Sequence, residues 1–292
     1  MKTSLHRIIT KDSIELVGLL YEPEEATNKV LVHVHGMAGN FYENKFLDAI
    51  AETLNQNGTA FFVFNNRGCE LMKELTKIVD GKRTITKIGN AYETFEDSLI
   101  DIATAIDFVS SKNFSIIHLS GHSLGSPKVA YYSANGNDPR LASVIFLSPS
   151  DMVGLIKMDK NFEKDIKMAR SMVDEGRGNE LLPHPVLWDG NPLSAKTYIS
   201  LGGKESDVAI FNFHDATDTL PLLSKITIPT YAVMGRKDDA LVVSIDETMA
   251  RIEKALSQSP KVETHILGDA DHGYNGFEQK LADALVSWIL DK

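Results

Sequence analysis

A serine, an aspartate and a histidine in this sequence are of the types that nucleophilic catalysis requires. Ser123 lies in the stretch Gly-His-Ser-Leu-Gly, Asp238 follows Gly-Arg-Lys, and His272 lies in Asp-His-Gly. A serine hydroxyl is a weak nucleophile at neutral pH and needs a nearby base. A histidine base in turn needs an acceptor on its second ring nitrogen, which fixes the tautomer. The three residues supply the parts of such a unit.

The surroundings of Ser123 are typical of a nucleophile elbow, a strained turn that joins a buried strand to a helix. Glycines stand two residues before and two after the serine, where a side chain would collide across so tight a turn. An apolar run at residues 115–120 precedes the motif, and Pro127 follows it near the first helical turn, where a missing N–H is tolerated. The alternative is a glycine-bounded surface turn with an incidental serine.

The elements that must position these residues follow from the hydrophobic pattern. Strands and helices alternate through both halves of the chain, which implies a mostly parallel sheet covered on both faces and active residues at the carboxyl ends of its strands. The first two strands are expected to form an antiparallel hairpin at one edge. The predicted strands are residues 4–10, 14–21, 29–35, 60–64, 115–120, 142–147, 230–234 and 261–267. The predicted helices are residues 46–54, 91–111, 127–134, 162–173, 246–256 and 277–289.

Two segments depart from this alternation. Residues 70–89 are polar and irregular, and they predict a long loop beside the carboxyl edge of the sheet, with a turn at Asp80-Gly81. Residues 151–225 are punctuated by glycine and proline and predict a cap or lid inserted over the catalytic edge. The alternative is a set of connecting helices with no role in binding. The expected organisation is a core of residues 1–150 and 226–292 with a cap of residues 151–225.

Composition narrows the class of protein. A chain of 292 residues with 43% apolar content can form one large α/β domain with an insertion. The net charge is -10 and no Lys/Arg cluster occurs, which argues against nucleic acid and membrane partners. The single cysteine, Cys69, excludes an internal disulfide, and residues 1–11 lack the apolar core of a signal peptide. We therefore expect a soluble cytoplasmic protein.

Three stretches, in this order and spacing, resemble the α/β-hydrolase superfamily over essentially the whole chain. They are His-Gly-Met-Ala-Gly at residues 35–39, the elbow around Ser123 and Asp-His-Gly at residues 271–273. The inserted segment makes the chain similar to the capped esterases of that superfamily. A looser similarity, through residues 191–201 and the acidic stretch around Asp215, is to intracellular hydrolases of siderophore esters.

This resemblance implies an α/β-hydrolase fold and a role for each candidate. Ser123 would be the nucleophile, and His272 the general base and then the acid toward the leaving group. Asp238 would orient His272. The backbone N–H groups of Met37 and Leu124 would form the oxyanion hole, where such donors contribute about 3 kcal/mol each. A single methionine after His-Gly, instead of further glycines, indicates the simpler type of oxyanion turn.

The sequence leaves open which carboxylate pairs with His272 as the acid of the triad. Asp238 is favoured, but Asp239 is adjacent and Asp151 follows the preceding strand, and motif position does not show which carboxylate reaches the ring. Among the other histidines, His35 is predicted to order its own turn. His122 flanks the serine and is given no catalytic role.

We expect a serine hydrolase that cleaves a small-molecule carboxylic ester by an acyl-enzyme route, with no cofactor. His33 and His35 have metal-like spacing but no nearby acidic or cysteine partner, so no metal is expected. The alternatives are thioester or amide hydrolysis by the same triad, haloperoxidase or lyase chemistry, and a catalytically silent binding module. Large residues of the cap either line an apolar pocket or form the cap's own core, namely Phe162, Met168, Met172, Trp188, Tyr198 and Phe211.

Overall fold

The computed structural model describes residues 1–136, 138–187, 190–203 and 206–291. The strands are β1 (Lys2–Ile9), β2 (Glu15–Glu22), β3 (Lys29–Val34), β4 (Ala60–Phe64), β5 (Lys73–Val79), β6 (Lys82–Ile88), β7 (Ile116–His122), β8 (Leu141–Leu147), β9 (Thr230–Met234) and β10 (Val262–Ile266). The helices are α1 (Lys45–Gln56), α2 (Ser98–Ser111), α3 (Gly125–Gly136), α4 (Met152–Lys157), α5 (Phe162–Asp174), α6 (Ala195–Gly202), α7 (Ile245–Ala255) and α8 (Glu278–Leu290).

Among the described residues, eight strands form one sheet in the order β1-β2-β4-β3-β7-β8-β9-β10. The pairs β1–β2 and β2–β4 are antiparallel, and every pair from β4 to β10 is parallel. The predicted mostly parallel sheet with a hairpin at one edge is therefore confirmed. Strands β4 and β9 are buried along their whole length, as expected where helices cover both faces of a parallel sheet.

Helices pack on both faces of this sheet. On one face, Phe46 of α1 and Leu285 of α8 belong to one hydrophobic cluster. On the other face, Ile106 of α2, Val129 of α3 and Ile252 of α7 belong to a second cluster. None of the helices among the described residues combines the length and the hydropathy of a membrane-spanning segment.

The segment between β8 and β9, where the sequence predicts an inserted cap at residues 151–225, shares its apolar interior with the second face of the sheet. Met172, Tyr198 and Phe211 are buried in the cluster that contains the sheet residues, and Phe162 and Met168 are half-buried against it. These large side chains therefore form packed core. Trp188 lies outside the described residues.

The prediction of a long loop at residues 70–89 was wrong, because β5 and β6 form a two-stranded antiparallel hairpin there. Its turn is Asp80-Gly81, and both residues have positive φ, 50° and 74°. Two left-handed residues give the turn whose twist matches that of paired strands. Most of β6 is exposed, so the hairpin has no apolar face that a sequence pattern reveals.

The helix predicted at residues 91–111 begins only at Ser98, after a short 3-10 turn that starts at Phe95. The preceding backbone is held by partners outside a helix. The N–H of Ala91 donates to the carbonyl of Leu71 at 3.0 Å, and the N–H of Phe95 donates to the hydroxyl of Ser200 at 2.9 Å. These tertiary contacts override the helical periodicity.

Candidate active site

Ser123 lies in the turn between β7 and α3 with a φ of 55°, a left-handed conformation that surrounding packing must hold. Its N–H donates to the carbonyl of Leu147 at the end of β8, 2.9 Å away. A β-carbon at Gly121 would lie 2.1 Å from the carbonyl oxygen of Gly125. One at Gly125 would lie 2.2 Å from the carbonyl oxygen of Val34. The elbow therefore requires both glycines for steric reasons.

His272 and Asp238 meet beyond the ends of β10 and β9. Nδ1 of His272 donates to Oδ1 of Asp238 at 2.8 Å, and the N–H of Ala240 donates to the same oxygen at 3.0 Å. The Asp238 side chain is fully buried, and 25% of the His272 side chain is exposed. Burial by itself raises the pKa of Asp238, but the hydrogen bond and the charge of His272 outweigh it, so this pKa lies below its ordinary value. The buried carboxylate is therefore ionised at neutral pH.

Ser123 and His272 line a common cavity of about 410 Å³. The helix α4 and a later part of the inserted segment contribute one side of its wall, and the core contributes the rest. The other lining residues are Met37, Ala38, Met152, Leu155, Asn191, Asp239 and Ala240. A molecule bound in this space would reach both the hydroxyl and the imidazole.

The backbone N–H groups of Met37 and Leu124 flank the serine. A β-carbon at Gly36 would lie 2.8 Å from Cβ of Ser123, so the turn at residues 36–37 packs directly against the elbow. Within the described residues, neither of these two N–H groups donates a hydrogen bond. Both N–H groups are therefore available to donate to a molecule bound beside Ser123.

His35 orders this turn, as the sequence predicts. Its Nδ1 donates to the carbonyl of Gly36 at 2.9 Å, and its Nε2 accepts from the N–H of Asn66 at 3.1 Å. Burial, with a smaller effect from the charge of Lys128, lowers the pKa of His35 to about 3. His35 is therefore neutral at physiological pH and acts as a support for the backbone.

His122 contacts the loop of His272, a role that the sequence did not reveal. Its Nε2 donates to the backbone carbonyl of His272 at 2.8 Å, and the two ring centroids lie 5.0 Å apart. Burial and then the charge of His272 lower the pKa of His122 to about 3, so the ring is a neutral donor. The only signal in the sequence was a histidine next to the serine, and that pattern does not tell where its side chain points.

Tyr274 holds the same loop from a second direction. Its buried hydroxyl donates to the carbonyl of Val233 in β9 at 2.9 Å and accepts from the hydroxyl of Ser148 at 3.0 Å. The loop that carries His272 is thus tied to β7 through His122 and to β9 through Tyr274. These ties restrict the position of the imidazole relative to Ser123.

The two alternative carboxylates have other surroundings. Oδ1 of Asp151 accepts from the N–H of Gly154 at 2.7 Å and caps α4, and its Oδ2 accepts from the backbone N–H and Nδ1 of His214 at 2.7 and 2.9 Å. Asp239 is exposed and lines the cavity. Of the three candidates, Asp238 is the one in contact with His272.

The mostly parallel sheet with helices on both faces and a serine elbow is an α/β-hydrolase fold. GrgF from Penicillium sp. sh18, an α/β-hydrolase, has 16% identity and a TM-score of 0.69, covering 100% of this chain and 97% of its own. Est1E from Butyrivibrio proteoclasticus, solved with ferulic acid, has 20% identity and a TM-score of 0.67, covering 98% of both chains. The esterase Pf2001 from Pyrococcus furiosus has 14% identity and a TM-score of 0.62, covering 99% of this chain and 91% of its own.

The sequence, compared with models of known protein families, also assigns the chain to a family. The model of the family described as "Protein of unknown function (DUF1749)" matches residues 82–291. The chain therefore belongs to the DUF1749 family. No curated protein sequence matches it.

Proposed function

We propose that this chain is a serine hydrolase that cleaves a carboxylic ester through an acyl-enzyme intermediate. The observation that carries the proposal is the 2.8 Å hydrogen bond from His272 to Asp238, with His272 and Ser123 on one cavity. The structural similarity to Pf2001, an esterase, supports an ester as the substrate.

In the acylation step, Nε2 of His272 takes the proton of the Ser123 hydroxyl as Oγ attacks the ester carbonyl carbon. Asp238 accepts the Nδ1 hydrogen bond throughout and stabilises the imidazolium that forms. The N–H groups of Met37 and Leu124 donate to the developing oxyanion. His272 then gives its proton to the leaving alcohol, and the acyl group stays on Oγ.

In the second step a water molecule takes the place of the alcohol. His272 removes a proton from the water, the oxygen attacks the acyl carbon, and the carboxylic acid leaves as Oγ of Ser123 recovers its proton. The two half-reactions need no electron donor or acceptor. The histidine returns to its neutral state after each cycle.

The inserted segment acts, in this proposal, as a cap that completes the substrate site. The cavity wall includes three residues of this segment together with residues of the core. They are Met152 and Leu155 of α4 and Asn191 further along the segment. A cap that supplies part of the cavity wall selects substrates by shape and polarity.

A fluorophosphonate probe tests the proposal without knowledge of the substrate, because it reacts with an activated serine. We expect mass mapping to locate the probe on Ser123, and labelling to be lost in Ser123→Ala and His272→Ala. Ser287→Ala, an exposed serine on α8, is the matched control and should label like the wild type. Folded wild-type protein that remains unlabelled would contradict the proposal and favour a silent binding module.

Rates on a matched ester, thioester and amide then separate the three acyl-transfer reactions. We expect the highest kcat/KM for the ester. Faster turnover of the thioester or the amide would keep the triad but change the class of substrate.

A further inference from the structure

The cavity beside Ser123 is apolar over most of its wall and carries one negative charge. Met37, Met152 and Leu155 contribute apolar surface, and Asn191 contributes a neutral amide. Apart from His272, Asp239 is the one titratable side chain among the described lining residues. The described wall contains no lysine or arginine.

The backbone on both sides of Asp239 is held by hydrogen bonds. The N–H of Lys237 donates to the carbonyl of Ala270 at 3.0 Å, and the N–H of Ala240 donates to the side chain of Asp238 at 3.0 Å. Asp238 is directed inward to the histidine, whereas its neighbour Asp239 is exposed at the cavity. The same turn thus supplies one carboxylate to the catalytic unit and a second to the substrate space.

The charge of Asp239 is not neutralised by a neighbouring cation. Lys237 pairs with Asp269 at 3.1 Å and Arg236 pairs with Asp246 at 3.3 Å, so the cations nearest in sequence contact other carboxylates. Within the described residues, no lysine, arginine or histidine nitrogen lies within 4.0 Å of the Asp239 carboxylate.

From this geometry we propose that Asp239 is a specificity-determining residue that selects cationic or neutral esters and rejects anionic ones. The inference rests on the proposed function, because it concerns the substrate of the same site. Unit charges roughly 7 Å apart at a partly solvated site change binding by about three- to tenfold, and salt reduces the effect. The net charge of -10 acts in the same direction at long range.

Three butyrate esters of similar size test the proposal. Their alcohols are choline (cationic), 3,3-dimethylbutanol (neutral) and 2-hydroxyethanesulfonate (anionic). At low salt we expect the cation-to-anion ratio of kcat/KM to be about 10 in the wild-type protein and to fall as salt is added. Asp239→Asn should lower this ratio by at least about threefold, and the cation preference that remains comes from the net charge of the protein. The matched control is Asp80→Asn, an exposed aspartate in the turn of the β5–β6 hairpin, which should keep the wild-type ratio.

A ratio in Asp239→Asn equal to that of the wild type would overturn the inference. So would loss of turnover of all three esters in that variant, because Asp239 would then belong to the catalytic unit. If the wild-type protein hydrolyses none of the esters, fluorophosphonate labelling decides the proposed function separately: an unlabelled Ser123 contradicts that function, and in either case selection by charge is read from binding. The amide analogues of the three esters are then titrated calorimetrically into Ser123→Ala, where equal Kd values for the cation and the anion would overturn the inference.

Discussion

His122 donates a hydrogen bond from Nε2 to the backbone carbonyl of His272 at 2.8 Å. The residue that precedes the proposed nucleophile therefore supports the loop of the proposed base. His122 ends strand β7 and Ser123 follows it directly, so a shift of the elbow relative to the imidazole would break this partly buried hydrogen bond. The ring of Phe46 also packs against His122, with the two ring centroids 5.1 Å apart.

Replacement of His122 by phenylalanine keeps a ring but removes the donor. We expect kcat to fall by about 10- to 100-fold with little change in KM, because misplacement of a catalytic group by about 1 Å costs that much. The rate of fluorophosphonate labelling at Ser123 measures the same loss. His6→Phe, on the edge strand β1, is the control. An unchanged labelling rate in His122→Phe would mean that His272 keeps its position without this bond.

Ser123 and His272 should act as one unit. We expect Ser123→Ala, His272→Ala and the double variant each to lower kcat by about a million-fold, because either loss disables the same proton transfer. Steady-state kinetics on one activated ester measures all three. Losses that add in the double variant would show two independent contributions and would contradict the proposed mechanism.

Asp238→Asn should leave the fold intact and lower kcat by about ten-thousand-fold, because the amide favours the wrong tautomer of His272. Asp239→Asn is the adjacent comparison, and its effect on a neutral ester should be far smaller. Near-normal kcat in Asp238→Asn would transfer the role of acid to Asp239 or Asp151. Circular dichroism of each variant checks that the fold is retained.

Arg251 of α7 links the core to the inserted segment. Its guanidinium donates to the carbonyls of Phe213 at 2.6 Å, Asp215 at 2.9 Å and Asp218 at 2.9 Å. The loop that it holds includes His214, which contacts the aspartate that caps α4. Helix α4 in turn lines the cavity, so Arg251 supports the cavity wall from a distance.

Arg251→Lys keeps the charge but loses the planar fork that reaches several carbonyls. We expect the free energy of unfolding to fall by about 2 kcal/mol, because hydrogen bonds to charged groups contribute roughly that much, and KM to rise by about fivefold. Denaturant unfolding and steady-state kinetics measure the two effects. The control is Arg236→Lys, which changes an exposed ion pair of little energetic weight. If KM stays at the wild-type value, the cavity wall does not depend on this contact.

Acid should destabilise the protein through its buried histidines. Burial lowers the pKa of His33 well below its ordinary value. Burial is also the main cause that lowers the pKa values of His35 and His122 to about 3. Below pH about 6.5 the unfolded chain binds protons that the folded chain does not, so the free energy of unfolding falls as pH falls from about 6.5 toward 3. Above that range these three groups contribute no pH dependence.

Each such histidine contributes a slope of about 1.4 kcal/mol per pH unit. Between pH 6.5 and pH 5 we therefore expect the free energy of unfolding of His122→Phe to fall less steeply than that of the wild type. The difference in slope should be about 1.4 kcal/mol per pH unit, the contribution of one histidine. Denaturant unfolding at several pH values measures the difference between the two proteins. Identical slopes would show that His122 is protonated in the folded state.

Much of the fold was predictable because its signals are local. Strand β4, residues 60–64, and strand β9, residues 230–234, were predicted at the bounds that the structure has, since fully buried strands read as continuous apolar runs. The β5–β6 hairpin was missed because its strands are mostly exposed and carry no apolar face. The start of α2 was misplaced because contacts from Leu71 and Ser200, distant in sequence, hold the preceding residues.

By itself the sequence determined the position of the elbow, because the spacing of two glycines around a serine is a local pattern. A β-carbon at Gly121 would meet Gly125 within the same five residues, whereas one at Gly125 would meet Val34 of the neighbouring strand β3. Only the tertiary structure decided which carboxylate meets His272 and where His122 points. Those outcomes depend on loops that follow different strands and meet at one edge of the sheet. Motif position favoured Asp238 over Asp239 and Asp151 without showing which carboxylate reaches the ring, and the hydrogen bonds of the folded chain give each a different environment. A local sequence pattern predicts the backbone conformation of the residues that form it. A contact between segments distant in sequence depends on how the whole sheet packs.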